Sequence, residues 1–194
     1  MEASLKETRS VGTYTSLVLA VTSVTTLMVV VGLTMDLFAD HALGTQAQIA
    51  WSAHLQQVDA ALARNDVRAA ESAWREAHAA ALKSRHWEGP VAVGDAHRRL
   101  GDVGGVRQAA RAKARQSYLI ALFRARGEGS VEGVLRVAER FAELGDRKVV
   151  EQCIRVARTV AAQEKDPLAQ QSVRVFTERW EARALEADPQ NLTP

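Results

Sequence analysis

Between Arg9 and Asp36 the chain carries 26 consecutive residues without a charge, SVGTYTSLVLAVTSVTTLMVVVGLTM. A helix rises about 1.5 Å per residue, so this run spans roughly 39 Å, more than the ~30 Å hydrocarbon core of a bilayer. A cleaved signal peptide has a shorter apolar core, about 7–15 residues, and a small-x-small exit. Here the core extends from Leu17 to Leu33, and Met35-Asp36-Leu37-Phe38-Ala39-Asp40 offers no Ala-x-Ala site. Buried helices of soluble domains rarely lack charge over seven turns. The expectation is therefore a transmembrane helix over 11–39, preceded by a tail, 1–10, and followed by a short linker, 40–46.

The flanking charges give the span a direction. Lys6, Arg9 and the terminal amine precede it, and no Lys or Arg follows before Arg64. Positive charge stays in the cytoplasm, so the N-terminus is expected there and the rest outside, in the periplasm of a Gram-negative bacterium. The expected location is the bacterial inner membrane, crossed once. Gly12, Ser16, Ala20 and Ser23 fall at spacings of four, four and three, on one helix face. Small residues let helices approach closely, and Ser hydroxyls can bond across the contact. The face is a candidate for packing on other membrane subunits; the alternative is that it faces lipid, with its hydroxyls bonded back to their own helix.

Everything after the run is polar, charged and helix-forming. Arg outnumbers Lys twenty to five, and Ala is abundant, a pattern that suits a GC-rich bacterial genome. Cys153 is the only cysteine, which excludes an internal disulfide, a thiolate zinc cluster and a Cys-x-x-Cys-His haem attachment. Its neighbours Val149, Val150, Ile154 and Val156 read as a helix that buries it.

From residue 44 onward apolar residues recur at three and four, and strand-like alternation is absent. Breaks fall at Asn65-Asp66, Glu88-Gly89-Pro90, Gly101-Asp102, Gly127-Glu128-Gly129, Gly145-Asp146 and Asp166-Pro167. Gly or Asn closes a helix in the left-handed conformation, and Asp caps the next. The helices expected are 44–64, 67–85, 90–100, 103–126, 131–144, 147–164 and 168–187. The fold class is all-α, with six or seven helices in an extracytoplasmic domain over 47–187 and a tail at 188–194.

The breaks also expose an internal repeat. LARNDVRAAESAWREA, RLGDVGGVRQAARAKA and ELGDRKVVEQCIRVA each carry a helix end, a Gly/Asn-Asp turn and an apolar second helix. Ala70, Trp74 and Ala77 stand at small, large and small positions of the first unit. Gly94, Val106 and Ala110 belong to the second, Ala138 and Phe141 to the third. In these residues, over about 50–165, the chain resembles the tetratricopeptide family, whose 34-residue repeat pairs two antiparallel helices. The turns here are 36 and 44 residues apart, and Lys113 stands where the second unit calls for a small residue. The resemblance implies a stack of helical hairpins capped by 168–185; an irregular helical bundle is the other architecture open to this pattern.

No catalytic constellation emerges. None of His41, His54, His78, His86 and His97 pairs at i, i+4 with an acidic partner, as a helical zinc site requires. His78 and His86 are two turns apart but lack a third ligand. No cofactor, small-molecule substrate or nucleic acid is expected. The asymmetric feature is a basic stretch from Arg98 to Arg126, with eight basic residues and one acid, Asp102. Arg107, Arg111 and Arg115 form a cationic stripe suited to an acidic protein surface, to anionic lipid, or to plain solvation. Trp51, Trp74, Trp87 and Trp180 are expected between helices, with Trp87 an alternative surface anchor.

Hairpin stacks hold other proteins on a curved face. The function expected is a non-catalytic accessory or scaffold subunit of a bacterial membrane complex, bound to other membrane subunits and the lipid bilayer. A membrane-tethered assembly factor or chaperone-like module near the secretion machinery is the alternative.

Overall fold

The computed structural model of the protein describes residues 50–186. The expected tail, membrane helix and linker before residue 47, with Gly12, Ser16, Ala20 and Ser23, lie outside the described residues, as does the tail at 188–194. Within the described residues no helix is long and apolar enough to cross a membrane.

The described residues form seven helices and no strand: α1 over 50–63, α2 Val67–Lys83, α3 Glu88–Val103, α4 Arg107–Gly127, α5 Val131–Leu144, α6 Arg147–Glu164 and α7 Pro167–Glu186. From α2 on, each helix packs on the next, and α4 also touches α6, and α5 touches α7. The all-α expectation holds for these residues.

Most junctions share one device. Asn65, Gly105, Gly129, Gly145 and Lys165 have positive φ, and the residue after each starts the next helix. At four of them that next residue donates its N–H to a carbonyl five positions back: Asp66 to Ala61, Val106 to Gly101, Ser130 to Ala125 and Asp146 to Phe141, at 2.8–3.0 Å. This reversal satisfies orphan carbonyls of the outgoing helix and begins the incoming one at once. Asp66 and Ser130 then accept from the N–H of Ala69 and Gly133, both at 3.0 Å, capping α2 and α5.

Two expected breaks are placed differently. α3 runs through Gly101-Asp102 and ends at Val103, so the turn is Gly104-Gly105. Gly101 sits inside the helix because a Cβ there would collide with Ala110 of α4, so the missing side chain permits close helix packing. Gly89 and Pro90 lie in the first turn of α3, where a missing amide hydrogen breaks no intrahelical bond.

The α2–α3 junction lacks the left-handed device and uses a side chain instead. The Arg124 guanidinium, on α4, donates to the carbonyls of Ala81 at 2.9 Å, His86 at 3.1 Å and Leu82 at 3.0 Å. It closes α2 with positive charge at the negative end of the helix dipole. Arg124→Ala is expected to lower unfolding free energy by about 2 kcal/mol, because three carbonyls lose a charged donor. Arg124→Lys recovers only part, since an ammonium cannot reproduce the planar fork. Urea denaturation of the three proteins measures both steps.

Three apolar regions anchor the described helices, the smallest made of Ala77, Ala81 and Val93 between α2 and α3. Val58, Ala61, Ala70, Trp74, Ala96 and Leu100 join α1, α2 and α3. The largest region links α3 to α7 around Tyr118 and Phe141, whose rings meet edge to face at 6.0 Å. Cys153 belongs to it, fully buried, and burial first, then Asp146, pushes its thiol up to about 12. A thiol so far from ionisation is a packing group. Trp74 is buried, while Trp51, Trp87 and Trp180 pack on the apolar regions from their edges. Trp87 lies against Gly133 of α5, where a Cβ would come within 2.8 Å of its ring.

A candidate protein-binding face on α3, α5 and α7

Ion pairs cross from α1 to α3 and from α3 to α5. Asp59 of α1 pairs with Arg99 of α3 at 2.9 Å. Asp95 of α3 accepts from the Tyr118 hydroxyl at 2.7 Å and from Arg140 of α5 at 2.9 Å. Arg98 of α3 and Arg140 both bind Glu143, Arg140 at 2.6 Å. Burial disfavours the Glu143 carboxylate, but the Arg98 hydrogen bond and the two guanidinium charges outweigh it and hold its pKa below the usual value. Tyr118 is pushed well above the ordinary phenol value by burial and by neighbouring Asp95. The cluster fixes α3, α4 and α5 in register, because the half-buried Asp95 and Arg140 are solvated chiefly by each other.

Beyond this ladder, α5 and α7 leave an open groove. One half, about 650 Å³, is floored by Val131, Leu135, Leu168 and Ala169 and walled by Glu132, Glu139, Glu164 and Asp166. Glu139 also lines the other half, about 320 Å³, with Phe176 and Trp180 on its floor and Arg179 and Arg183 at its rim. Leu168 is 73% exposed, so its side chain is not part of the helical packing. Among the described residues only Arg136 brings positive charge to the first half, and it is paired with Glu139 at 3.5 Å. An apolar floor between carboxylate walls suits a basic, partly apolar protein segment.

The arginines of the sequence stripe are placed on α4, apart from the groove's lining, and each has a partner within the fold. Arg107 pairs with Asp102 at 2.8 Å, Arg111 donates to the Glu143 carbonyl at 3.2 Å, and Arg115 pairs with Asp146 at 2.8 Å. Arg115 also lies over the Phe141 ring, 5.9 Å from its centre. Asp146 makes no side-chain cap on α6, its carboxylate being engaged by Arg115. All three arginines stay exposed, so the stripe is both solvated and tied to α3, α5 and the start of α6.

Two of the histidines share one aromatic ring. His86 lies 3.6 Å from Glu128. His78 stacks on Trp74 at 5.0 Å, and His97 lies against the same ring at 4.2 Å. Among the described residues no group of three or more His, Cys, Asp or Glu side chains is arranged to hold a metal ion. The walls, Glu132 and Glu139 against Glu164 and Asp166, stand roughly 25 to 34 residues apart in the sequence, so no short window shows the groove. Compared with family models, curated proteins and solved structures, the chain finds no match.

Proposed function

We propose that this chain is a non-catalytic scaffold subunit of a bacterial membrane protein complex, held by its N-terminal apolar run and binding a partner through a tetratricopeptide-like helical domain. The observation that carries the reading is the α5–α7 groove, with Leu168 exposed between Glu132, Glu164 and Asp166. Burying that leucine against a partner removes apolar surface from water, while the carboxylates select a basic segment and reject an acidic one. The uncharged run Ser10–Met35 supports membrane attachment on its length alone. Succession of helix pairs through the same tight turn supports a stack that extends one curved face.

The test is purification of the full chain in mild detergent, with its companions quantified by mass spectrometry. A scaffold subunit keeps its partner at a fixed ratio. The double substitution Leu168→Glu and Glu132→Lys is expected to reduce the retained partner at least tenfold, a loss of about 1.4 kcal/mol or more. Both side chains are exposed, so circular dichroism should show the same helical fold, with the melt lowered only slightly by the Lys in the first turn of α5, about 1 kcal/mol at most against the helix dipole. Undiminished retention with the variant overturns the groove as the binding face. Companions present only in traces would favour the assembly-factor reading.

A further inference from the structure

We infer that the end of the helical domain formed by the C-terminal turns of α2 and α4 rests on an anionic lipid surface. The inference rests on the membrane attachment proposed above. Three observations converge on this end.

The first is where the chain enters. Trp51 and Leu55, early in α1, pack on Ala77, Ala81 and Val93, whereas Val58 and Ala61 pack with Ala70, Trp74 and Leu100. α1 therefore begins beside the end of α2. Fourteen residues separate Met35 from residue 50 in the sequence. Even fully extended, at roughly 3.3–3.6 Å per residue, they reach no more than about 50 Å. A domain so tethered meets the membrane at high effective concentration, so a contact too weak to bind alone is populated.

The second is exposed apolar surface. The three Arg124 bonds hold the last turns of α4 against the Ala81–His86 segment, which brings Phe123 and Leu82 to this end. Phe123 is 70% exposed and Leu82 44% exposed. A phenyl ring this open to water gains by entering the headgroup region, where aromatic side chains concentrate.

The third is charge. Lys83, Arg85 and Arg126 flank those two side chains and are exposed. Two acids are near: Glu128, 3.6 Å from His86, and the half-buried Glu88 that begins α3. Basic residues around one or two apolar side chains are the composition of a surface that lies on anionic lipid without inserting deeply. The opposite end of α4 exposes Val106 too, but with Asp102 and Arg107 paired beside it and no aromatic ring.

The experiment uses the full chain, with the buried Cys153 changed to Ala and a single cysteine placed by Phe123→Cys or, as control, Val106→Cys. Each is labelled with the polarity-sensitive dye NBD. Vesicles are phosphatidylcholine alone or mixed with phosphatidylglycerol, with and without spin-labelled lipid. The probe at 123 is expected to shift to the blue and be quenched several-fold more than the probe at 106, and more strongly with phosphatidylglycerol. Adding Lys83→Glu and Arg126→Glu should remove the phosphatidylglycerol dependence. An unquenched probe at 123 overturns the inference, whether it reports water or is shielded by a second copy or another protein. Quenching at 106 in place of 123 overturns it as well. Resistance to alkaline carbonate reads the anchor separately: a chain that is extracted yet quenched at 123 keeps the lipid contact and loses the anchor. A chain retained but unquenched does the reverse.

Discussion

Tyr118→Ala is expected to cost about 4 kcal/mol of folding stability, in the range of large aromatic truncations in packed cores. The ring is fully buried, meets Phe141 edge to face, and lies directly over Gly94 of α3. Its hydroxyl also fills one acceptor of Asp95. Tyr118→Phe keeps the ring and loses only that bond, for about 1–2 kcal/mol. Gly94 supplies the sharper test. A Cβ at Gly94 would fall 2.5 Å from the Tyr118 ring, so Gly94→Ala in the parent is expected to destabilise by about 1–3 kcal/mol through overpacking. In the Tyr118→Ala background the clash is gone, and replacing a mid-helix glycine should stabilise by roughly 0.5–1 kcal/mol. The sign of Gly94→Ala thus reverses between backgrounds. Equal costs in a denaturant-measured double-mutant cycle would show that the α3–α4 approach at this point is not set by the ring.

The same glycines mark where sequence reasoning stopped. Local chemistry locates several junctions: Asn65-Asp66 and Gly145-Asp146 carry both the left-handed residue and the start of the next helix, and Asp166-Pro167 starts α7 just after the left-handed Lys165. Gly101-Asp102 carries a similar pattern but lies inside α3, since the glycine serves a neighbour, Ala110, nine positions away. No short window separates a glycine that ends a helix from one that admits another helix. The arginine stripe shows the same limit: its spacing is legible, while Glu143 and Asp146, its partners some thirty residues on, are chosen by the packing of α4 on α5 and α6. Arg124 is the furthest from sequence, a cap borrowed from two helices later. The groove belongs with these, for its walls are joined only by folding.

Lowering the pH from about 7.5 to about 5 is expected to remove roughly 2 kcal/mol of stability, traceable to His97. That ring is 6% exposed against Trp74, whose indole N–H is fixed on the Val93 carbonyl at 2.8 Å. The His97 Nδ1 is buried and has no hydrogen-bond partner among the described residues, so nothing there welcomes a second proton. Burial first, then the Lys113 charge, lowers its pKa to about 4; Glu71 opposes the shift and His78 adds to it. With the folded value below the unfolded value of 6.5, the unfolded chain binds more protons throughout that interval. The contribution is therefore whole above about pH 6.5 and is lost as pH falls toward 4. His78, lowered by burial and by Lys113, slopes the same way. Glu143, with its pKa held below the ordinary carboxylate value, stays ionised in this window, so its loss comes at lower pH. His97→Phe keeps an apolar ring beside Trp74 and removes the titration. Its urea midpoint should vary with pH much less than the parent's, leaving the His78 slope as the main remainder. A parent whose stability is flat from about pH 7.5 to 5 would mean that the folded chain accommodates the imidazolium, through a rearrangement that brings Glu71 to the ring.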